Sequence, residues 1–293
     1  MPTFERSQKR FMSSDLSLLE TGHFSDVVLR CGNQAWNIHK SIVCKRCTWF
    51  EKALTGNFKE AETNKITLTD VAPELVDVAI RYLYSGAIDA AALEKCEGAS
   101  TISKFVRLWS VADFFCLEPL QKDIISAVQD HLEGNMVVMC DAKWEIHSAD
   151  GKAIIKEFFD GVASAYRDFP HAVPCREVLI DYAHAIRLNL YRSHDFVQRI
   201  SDFPDLASDL FMVAVRGRES KWTGNSNPDY RNYFVHYRCK GCKTSSKEPV
   251  SWNVDPRATG KNIRIMEVPW KCEGCVEKSG YPWEGRGHTE AAE

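Results

Sequence analysis

The first strong pattern in the chain is an alternation of apolar and polar residues on both sides of a Gly32-Asn33 pair. The flanking runs are Phe24–Leu29 and Gln34–Ile38, and a tight two-residue loop of this composition favours a β-hairpin. From His39 onward the apolar positions change to helical spacing, which continues to Leu54. This stretch therefore predicts two short antiparallel strands followed by a helix through Leu54.

The next segments repeat the change from strand to helix. A short alternating run, Lys65–Val71, predicts a third strand, and Pro73 suits the first turn of the helix that ends at Gly86. Residues 87–100 are small and polar and predict a loop with at most one helical turn. Amphipathic periodicity then predicts one helix over Thr101–Phe115 and another from Leu117 to Gly134.

Helical periodicity continues beyond this point, with prolines at the expected breaks. It predicts an all-α region over residues 135–217. The apolar positions fall into three stripes: Ile154, Ile155, Phe158, Phe159 and Val162; Val178, Leu179, Tyr182, Ala183, Ile186 and Leu190; and Phe196, Ile200, Leu206, Leu210, Phe211 and Val213.

Several of these positions together resemble the BTB/POZ domain. The motifs are Phe24-Ser-Asp-Val-Val-Leu29, His39-Lys40, Phe50-x-x-x-Leu54, Phe58-Lys-Glu60 and Tyr82-Leu-Tyr84-Ser-Gly86. The resemblance implies an α+β BTB/POZ fold, a small sheet with a helical bundle. The helical periodicity adds the all-α region after it, and the cysteine spacing described below predicts a small β-rich zinc-binding module at the end. The ending Asp202-Phe-Pro-Asp-Leu-Ala-Ser-Asp-Leu210 is similar to that of the C-terminal helical region of many fungal BTB proteins.

These patterns predict six segments. They are an N-terminal arm with a short helix (1–23), the BTB/POZ domain (24–134), the helical region (135–217), a polar linker (218–229), a four-cysteine module (230–284) and a disordered acidic tail (285–293).

The resemblance also implies self-association as a homodimer. In BTB domains a segment placed like Asp15–Gly22 often packs across the dimer interface, so Leu16 and Leu19 are candidate interface residues. Asp26 and Lys40 resemble the charged pair at the floor of such dimers. Two alternatives stay open: the short helix covers only its own core, and Asp26 satisfies nearby backbone donors while Lys40 is solvated.

Many BTB proteins are substrate adaptors of Cullin-3 ubiquitin ligases, and the resemblance makes Cullin-3 an expected partner. The cullin-facing surface would lie on the helices around Tyr82–Gly86 and Thr101–Leu117, near Phe105. Family members that bind the cullin often carry an apolar-x-Glu element, for which Ala92-Leu-Glu94 is the candidate. The leading prediction is thus a non-enzymatic adaptor that binds protein partners.

Composition and the absence of targeting signals bear on the redox state of the cysteines and do not indicate a function. The apolar content of 44% and charged content of 26% are those of a soluble globular protein. The sequence has neither an apolar run of membrane-spanning length nor a signal-peptide core, which predicts an intracellular protein, nuclear or cytoplasmic, with no membrane association. Its eleven cysteines are then expected to be reduced or metal-bound. The pair Cys44 and Cys47, placed mid-helix by the periodicity, is expected to pack in the core.

Four later cysteines have the spacing of a metal site. Cys239-Lys-Gly-Cys242 and Cys272-Glu-Gly-Cys275 are two C-x-G-C turns separated by residues 243–271, and a strand-like run precedes each turn. Two such turns supply four thiolates in a closed tetrahedral set, which prefers Zn²⁺. The prediction is one structural zinc ion in a zinc-ribbon-like module, without an open position for catalysis.

The same module is basic, which suggests a second function. Between Tyr230 and Lys271, nine basic side chains face three acidic ones, a net charge of +6, although the whole chain has a formal charge of −3. The alternative prediction is a nuclear DNA- or chromatin-associated factor whose module binds nucleic acid. A solvated basic face and peptide recognition are the other readings. No nucleotide-binding or hydrolase motif is present, which argues against an enzyme. Candidate contacts are Lys240, Lys243, Lys247, Arg257, Lys261, Arg264 and the stacking residue Trp252.

Overall fold

A computed structural model describes residues 14–139, 149–186, 190–191 and 193–216. The chain divides into two compact units. The first unit comprises Met1–Val128 together with Glu157–Arg176, and the second comprises Gln129–Lys156 and Glu177–Glu293. The predicted linker, the four-cysteine module and the acidic tail lie outside the described residues, and the predicted segment boundaries remain predictions.

The predicted hairpin is confirmed. Strands β1 (Val27–Cys31) and β2 (Gln34–Ile38) pair antiparallel, and Gly32 takes the positive φ of 52° that their tight turn requires. The third strand, β3 (Lys65–Leu68), pairs parallel to β1, so the order in the sheet is β2-β1-β3. Alternate residues of β1 and β3 are buried, which places one face of the sheet on the core.

Helices surround this sheet and form most of the first unit. Residues 14–21 form α1, which ends at Gly22 with a φ of 65°, as its position in the sequence predicts. The other helices beginning in this unit are α2 (Lys40–Arg46), α3 (Thr48–Thr55), α4 (Lys59–Thr63), α5 (Pro73–Ser85), α6 (Ala90–Glu94), α7 (Thr101–Phe114) and α8 (Glu118–Met139).

The single helix predicted from His39 to Leu54 is wrong in one respect, because Cys47 divides it into α2 and α3. Cys47 has extended backbone angles (φ −147°, ψ 117°), while its N–H still bonds the Val43 carbonyl at 2.9 Å. Its thiol donates to the Phe115 carbonyl at 3.2 Å. The break is therefore held by a contact 68 residues away in the chain, which periodicity does not contain.

Helix α5 forms the centre of the core. Pro73 is its first residue, and Gly86 (φ 67°) ends it by donating its N–H to the Tyr82 carbonyl at 2.7 Å. Eight of its residues are buried, so this helix has contacts on nearly all sides. The predicted loop over residues 87–100 contains one short helix, α6, capped by the Asp89 side chain.

Within the described part of residues 135–217, the helical periodicity corresponds to the end of α8, the helices named below and one π-helical turn. Helix α8 runs to Met139, five residues beyond its predicted end at Gly134. The following elements are α9 (Ala149–Ala163), the π turn (Ser164–Asp168), α10 (Val173–Ala185), α11 (His194–Ile200) and α12 (Pro204–Arg216). Among the described residues, no helix is long and apolar enough to cross a membrane.

Candidate partner-docking groove

The first unit carries an open apolar groove between α3, α4, β3 and the C-terminal end of α7. Its volume is about 490 Å³. We call it the docking groove, and it is lined by Trp49, Lys52, Ala53, Phe58, Glu60, Ile66, Thr67, Leu68, Thr69, Asp70, Val71 and Phe114. Seven of these twelve residues are apolar, which is the composition of a surface that binds another molecule by excluding water.

Two aromatic side chains of the groove face solvent. Phe58 is 58% exposed and Phe114 is 44% exposed. Phe114 is one residue before Phe115, which is fully buried and stacks on Phe50 with a centroid distance of 5.3 Å. Successive helical residues point about 100° apart, so the end of α7 sends one phenyl ring into the core and the other into the groove. Trp49 contacts both rings, at centroid distances of 5.6 Å and 5.2 Å.

The position of Phe58 depends on the close contact of Gly56 with the Lys52 carbonyl oxygen. A Cβ atom at Gly56 would lie 2.6 Å from the Lys52 carbonyl oxygen and 3.0 Å from the Phe58 ring. Only glycine fits this turn, which lets α3 end and sends Phe58 outward as the residue before α4. Phe58-Lys59-Glu60 also has the apolar-x-Glu form, which makes it a second candidate beside Ala92-Leu93-Glu94.

Part of the expected cullin-facing surface is buried. Tyr82, Leu83 and Tyr84 are buried, and Leu93 is 5% exposed. Phe105 is half-buried and lines a separate cavity of about 390 Å³ with Leu93 and Ala127. Phe114, the exposed aromatic residue of α7, also lies within the expected Thr101–Leu117 range.

The polar lining of the docking groove has an acidic excess. Glu60 and Asp70 provide two carboxylates, and Lys52 provides one ammonium group. Among the described residues, no ion pair engages any of these three groups. A basic group on an incoming molecule would therefore meet two uncompensated carboxylates.

The candidate dimer residues lie on or near α1 and the start of α2. Leu19 is 9% exposed and Leu16 is half-buried. Ion pairs also tie α1 to its own unit, from Asp15 to Arg46 at 2.6 Å and from Glu20 to Arg81 at 3.5 Å. These contacts favour the reading in which α1 covers its own core, and they leave the dimer role untested.

Asp26 makes a backbone contact within its own unit. Its carboxylate accepts a hydrogen bond from the backbone N–H of Lys40 at 2.8 Å. It thus caps the first turn of α2, where the negative charge also suits the helix dipole. Among the described residues, the Lys40 ammonium group forms no ion pair with Asp26.

The His39 and Tyr84 positions of the resemblance form a buried hydrogen-bonded pair. The Tyr84 hydroxyl lies 2.9 Å from the His39 backbone N and 2.8 Å from His39 Nδ1. His39 Nε2 lies 2.7 Å from the His23 carbonyl, which can only accept, so Nε2 carries the proton and Nδ1 accepts from Tyr84. Burial raises the pKa of Tyr84 to about 12, which keeps the hydroxyl protonated for this donation. These motif residues therefore hold the fold.

The Cys44 and Cys47 pair has the packing role that the sequence predicts, at a different place in the helices. Cys47 is 3% exposed at the break between α2 and α3 and Cys44 is half-buried on α2. Burial raises the pKa of both thiols. A raised pKa lowers the thiolate fraction, so neither residue is suited to redox chemistry.

Every residue of the predicted zinc and nucleic-acid sites lies outside the described residues. This applies to the four ligands Cys239, Cys242, Cys272 and Cys275 and to Lys240, Lys243, Lys247, Trp252, Arg257, Lys261 and Arg264. Within the part of the chain that the structure describes, no group of three or more His, Cys, Asp or Glu side chains could hold a metal ion.

A mixed three-stranded sheet packed on helices, with an apolar groove on its surface, defines a small α+β interaction domain. The model of the BTB/POZ domain family matches residues 16–132. This part of the chain is a BTB/POZ domain, and such domains act in protein–protein interaction.

The relatives share this domain and are much longer proteins. The chain is 24% identical over 168 residues to "BTB/POZ domain-containing protein At2g30600" of Arabidopsis thaliana, an alignment that covers 57% of this chain and 20% of the relative. It is 31% identical over 72 residues to "Kelch-like protein 41" of Mus musculus, covering 25% of this chain and 12% of the relative. It is 24% identical over 165 residues to "BTB/POZ domain-containing protein 1" of Schizosaccharomyces pombe, covering 49% and 12%.

A solved structure, the BTB domain of zebrafish PATZ1, aligns with 44% of this chain and 94% of its own length. Its sequence identity is 16% and its TM-score is 0.33.

Proposed function

We propose that this chain is a non-enzymatic adaptor that binds a protein partner in the docking groove of its BTB/POZ domain, with Cullin-3 as the partner. The observation that carries the proposal is the pair of exposed phenyl rings, Phe58 and Phe114, beside Trp49 in one groove. Large aromatic side chains that become buried supply most of the energy of typical protein interfaces. The Phe58-Lys59-Glu60 element adds, at an exposed position, the apolar-x-Glu pattern expected of BTB proteins that bind a cullin.

Binding of purified Cullin-3 to the full chain tests this proposal. Phe58→Glu and Phe114→Glu should each weaken binding by about thirtyfold or more, since charging an interface anchor costs about 2 kcal/mol or more. Phe211→Glu is the matched control, because Phe211 is a 65% exposed aromatic residue on α12 in the second unit. Isothermal titration calorimetry measures each affinity.

The same series includes a variant of the surface expected from the sequence. If Phe105→Glu abolished binding while both groove variants retained it, the contact would lie on the middle of α7 and the groove assignment would be wrong. Unchanged binding in all of these variants would also reject the groove.

We further propose that the chain self-associates as a homodimer through a surface that includes Leu16, Leu19, Asp26 and Lys40. Phe24 supports this proposal, because it lies between α1 and β1 with 90% of its side chain exposed. Its φ of 63° is unusual for a residue with a large side chain, and that conformation turns the ring outward. Light scattering on the full chain at several concentrations measures the molar mass.

The four-cysteine module is proposed to bind one zinc ion, on the strength of its two C-x-G-C turns. Elemental analysis should find about one zinc per chain and none after Cys239→Ser with Cys242→Ser, because two ligands cannot close a structural site. Cys116→Ser, which replaces an exposed cysteine of the described region, should keep the metal. Wild-type protein without zinc would contradict the proposed metal site.

Nucleic-acid binding by this module is a second candidate function, favoured by its local charge of +6. Binding to duplex DNA should then fall steeply with salt and weaken when Lys243, Lys247 and Lys261 become Glu. Salt-independent or unchanged binding would leave the basic face as a solvated surface.

A further inference from the structure

We infer that the docking groove takes an extended, basic peptide segment that adds as a strand to the free edge of β3. This inference rests on the docking function proposed above and specifies its binding mode. Strand β3 is the last strand in the order β2-β1-β3, so within the described first unit only one of its two edges is paired. The groove is lined by the continuous run Ile66–Val71, which is this strand and the residues that follow it.

The direction of the backbone groups follows from the pairing. The Val28 N–H donates to the Asn64 carbonyl at 3.0 Å, and Val28 lies opposite Lys65 in the parallel register. In a parallel ladder alternate residues point their N–H and C=O groups toward the neighbouring strand. Asn64, Ile66 and Leu68 therefore face β1. The backbone groups of Lys65 and Thr67 face the open edge.

The side chains around this edge are arranged for an extended partner. Ile66 and Leu68 are 2% and 6% exposed and form an apolar floor, whereas Lys65 and Thr67 are exposed. An added strand would place alternate side chains against Trp49, Phe58 and Phe114, because side chains of a strand alternate between faces. Main-chain bonds to the edge and pockets for alternate residues are the two components of recognition by strand addition.

The charged residues that line the groove indicate which side chains the bound segment should carry. Glu60 stands at the start of α4 and Asp70 directly after β3, and Lys52 is the single cation among the lining residues. The Thr69 hydroxyl donates to Asp70 at 3.0 Å, but no described cation forms an ion pair with either carboxylate. The complementary segment therefore carries Lys or Arg beside its apolar residues. The occupant is thus an extended peptide with apolar residues at every second position and basic residues between or beside them, rather than an amphipathic helix.

Selection from a displayed library of random dodecapeptides against the full chain tests the binding mode. Strand addition predicts that selected peptides carry apolar residues two positions apart with Lys or Arg between or beside them. Their affinities should fall in Phe58→Glu and Phe114→Glu. Apolar residues spaced by three and four positions would indicate a helix and overturn the inference while leaving the groove in place.

The edge itself is tested with a matched pair of variants. Thr67→Pro removes the N–H that faces the open edge, a position where edge strands tolerate proline, and should weaken a selected peptide about tenfold. Thr67→Val keeps the N–H and should bind like the wild type. Equal affinities for these two variants would contradict strand addition.

A peptide scan provides an independent readout if Thr67→Pro does not fold. N-methylation at alternate positions of a selected peptide should abolish binding, and methylation at the positions between them should be tolerated. If N-methylation weakens binding without this alternation between positions, the peptide does not bind by strand addition. Selected peptides that bind equally to wild type, Phe58→Glu and Phe114→Glu would bind outside the docking groove and would overturn this inference. The proposed function fails separately, if Cullin-3 binding is also unchanged in those variants.

Discussion

Truncation of Phe115 to Ala should lower the free energy of unfolding by about 3–5 kcal/mol, the cost of removing a fully buried phenyl ring. Phe115 is 0% exposed, stacks on Phe50, and meets Trp49 edge-on at 5.2 Å. Its carbonyl also accepts the Cys47 thiol that holds the break between α2 and α3. The cavity would therefore lie between α3, the break that separates α2 from α3, and the end of α7. Urea unfolding followed by tryptophan fluorescence measures the loss.

Phe114→Ala is the matched control, because it removes the same ring one residue earlier on a side chain that is 44% exposed. We expect a smaller loss there, about 1–2 kcal/mol, since nearly half of this residue is already in contact with water. Equal losses at the two positions would mean that Phe114 is a core residue. In that case it would not be available as an anchor of the docking groove.

The sequence predicts much of the BTB/POZ fold because the relevant signals are local. The Gly32 turn, the Pro73 start and the Gly86 end of α5 each depend on backbone preferences that the residue itself carries. The hairpin and the existence of a third strand then follow from the alternation, whereas the parallel pairing of that strand does not. The ends of α5 agree with the structure to the residue, but β1 is Val27–Cys31 where the alternation predicts Phe24–Leu29, and β3 ends at Leu68 where it predicts Val71.

Local sequence signals do not predict the break at Cys47 or the exposure of Phe58. The helical spacing of α2 continues across Cys47 into α3, and the contact that separates the two helices comes from Phe115, far along the chain. Phe58 sits in an apolar-x-Glu pattern that was visible in the sequence. Its exposure, however, depends on the packing of Gly56 against Lys52, which only the folded backbone shows.

The end of the domain is a further point at which local patterns were insufficient. The predicted boundary lies at residue 134, and the family match ends at residue 132. The first unit nevertheless includes Glu157–Arg176. Hydrogen bonds connect this segment to α7: Ser103 and Ser164 hydroxyls at 2.7 Å, both buried, and Ser110 with His171 at 2.9 Å. Periodicity assigns a helix to each segment without showing that the two helices meet.

Replacing Gly161 by Leu should therefore destabilise the BTB/POZ unit by about 3 kcal/mol or more, although Gly161 lies outside the matched domain. Gly161 is buried on α9, and a Cβ atom there would lie 2.3 Å from Cγ2 and 3.0 Å from Cβ of Ile102 on α7. Because Ile102 is itself only 1% exposed, it has little room to move away. Urea unfolding of the full chain again provides the measurement.

Gly134→Leu is the control for helix propensity, since Gly134 is an exposed helical glycine with no atom within 4 Å of an added Cβ. That variant should gain up to about 1 kcal/mol, because leucine forms helices better than glycine. Ile102→Ala combined with Gly161→Leu should recover part of the loss, as expected for two residues in direct contact. Additive losses, or a Gly161→Leu protein as stable as the wild type, would mean that the segment after α8 is not part of the cooperative core. A large loss in Gly161→Leu that Ile102→Ala partly recovers would show that residues 157–176 are an integral part of the domain that carries the docking groove.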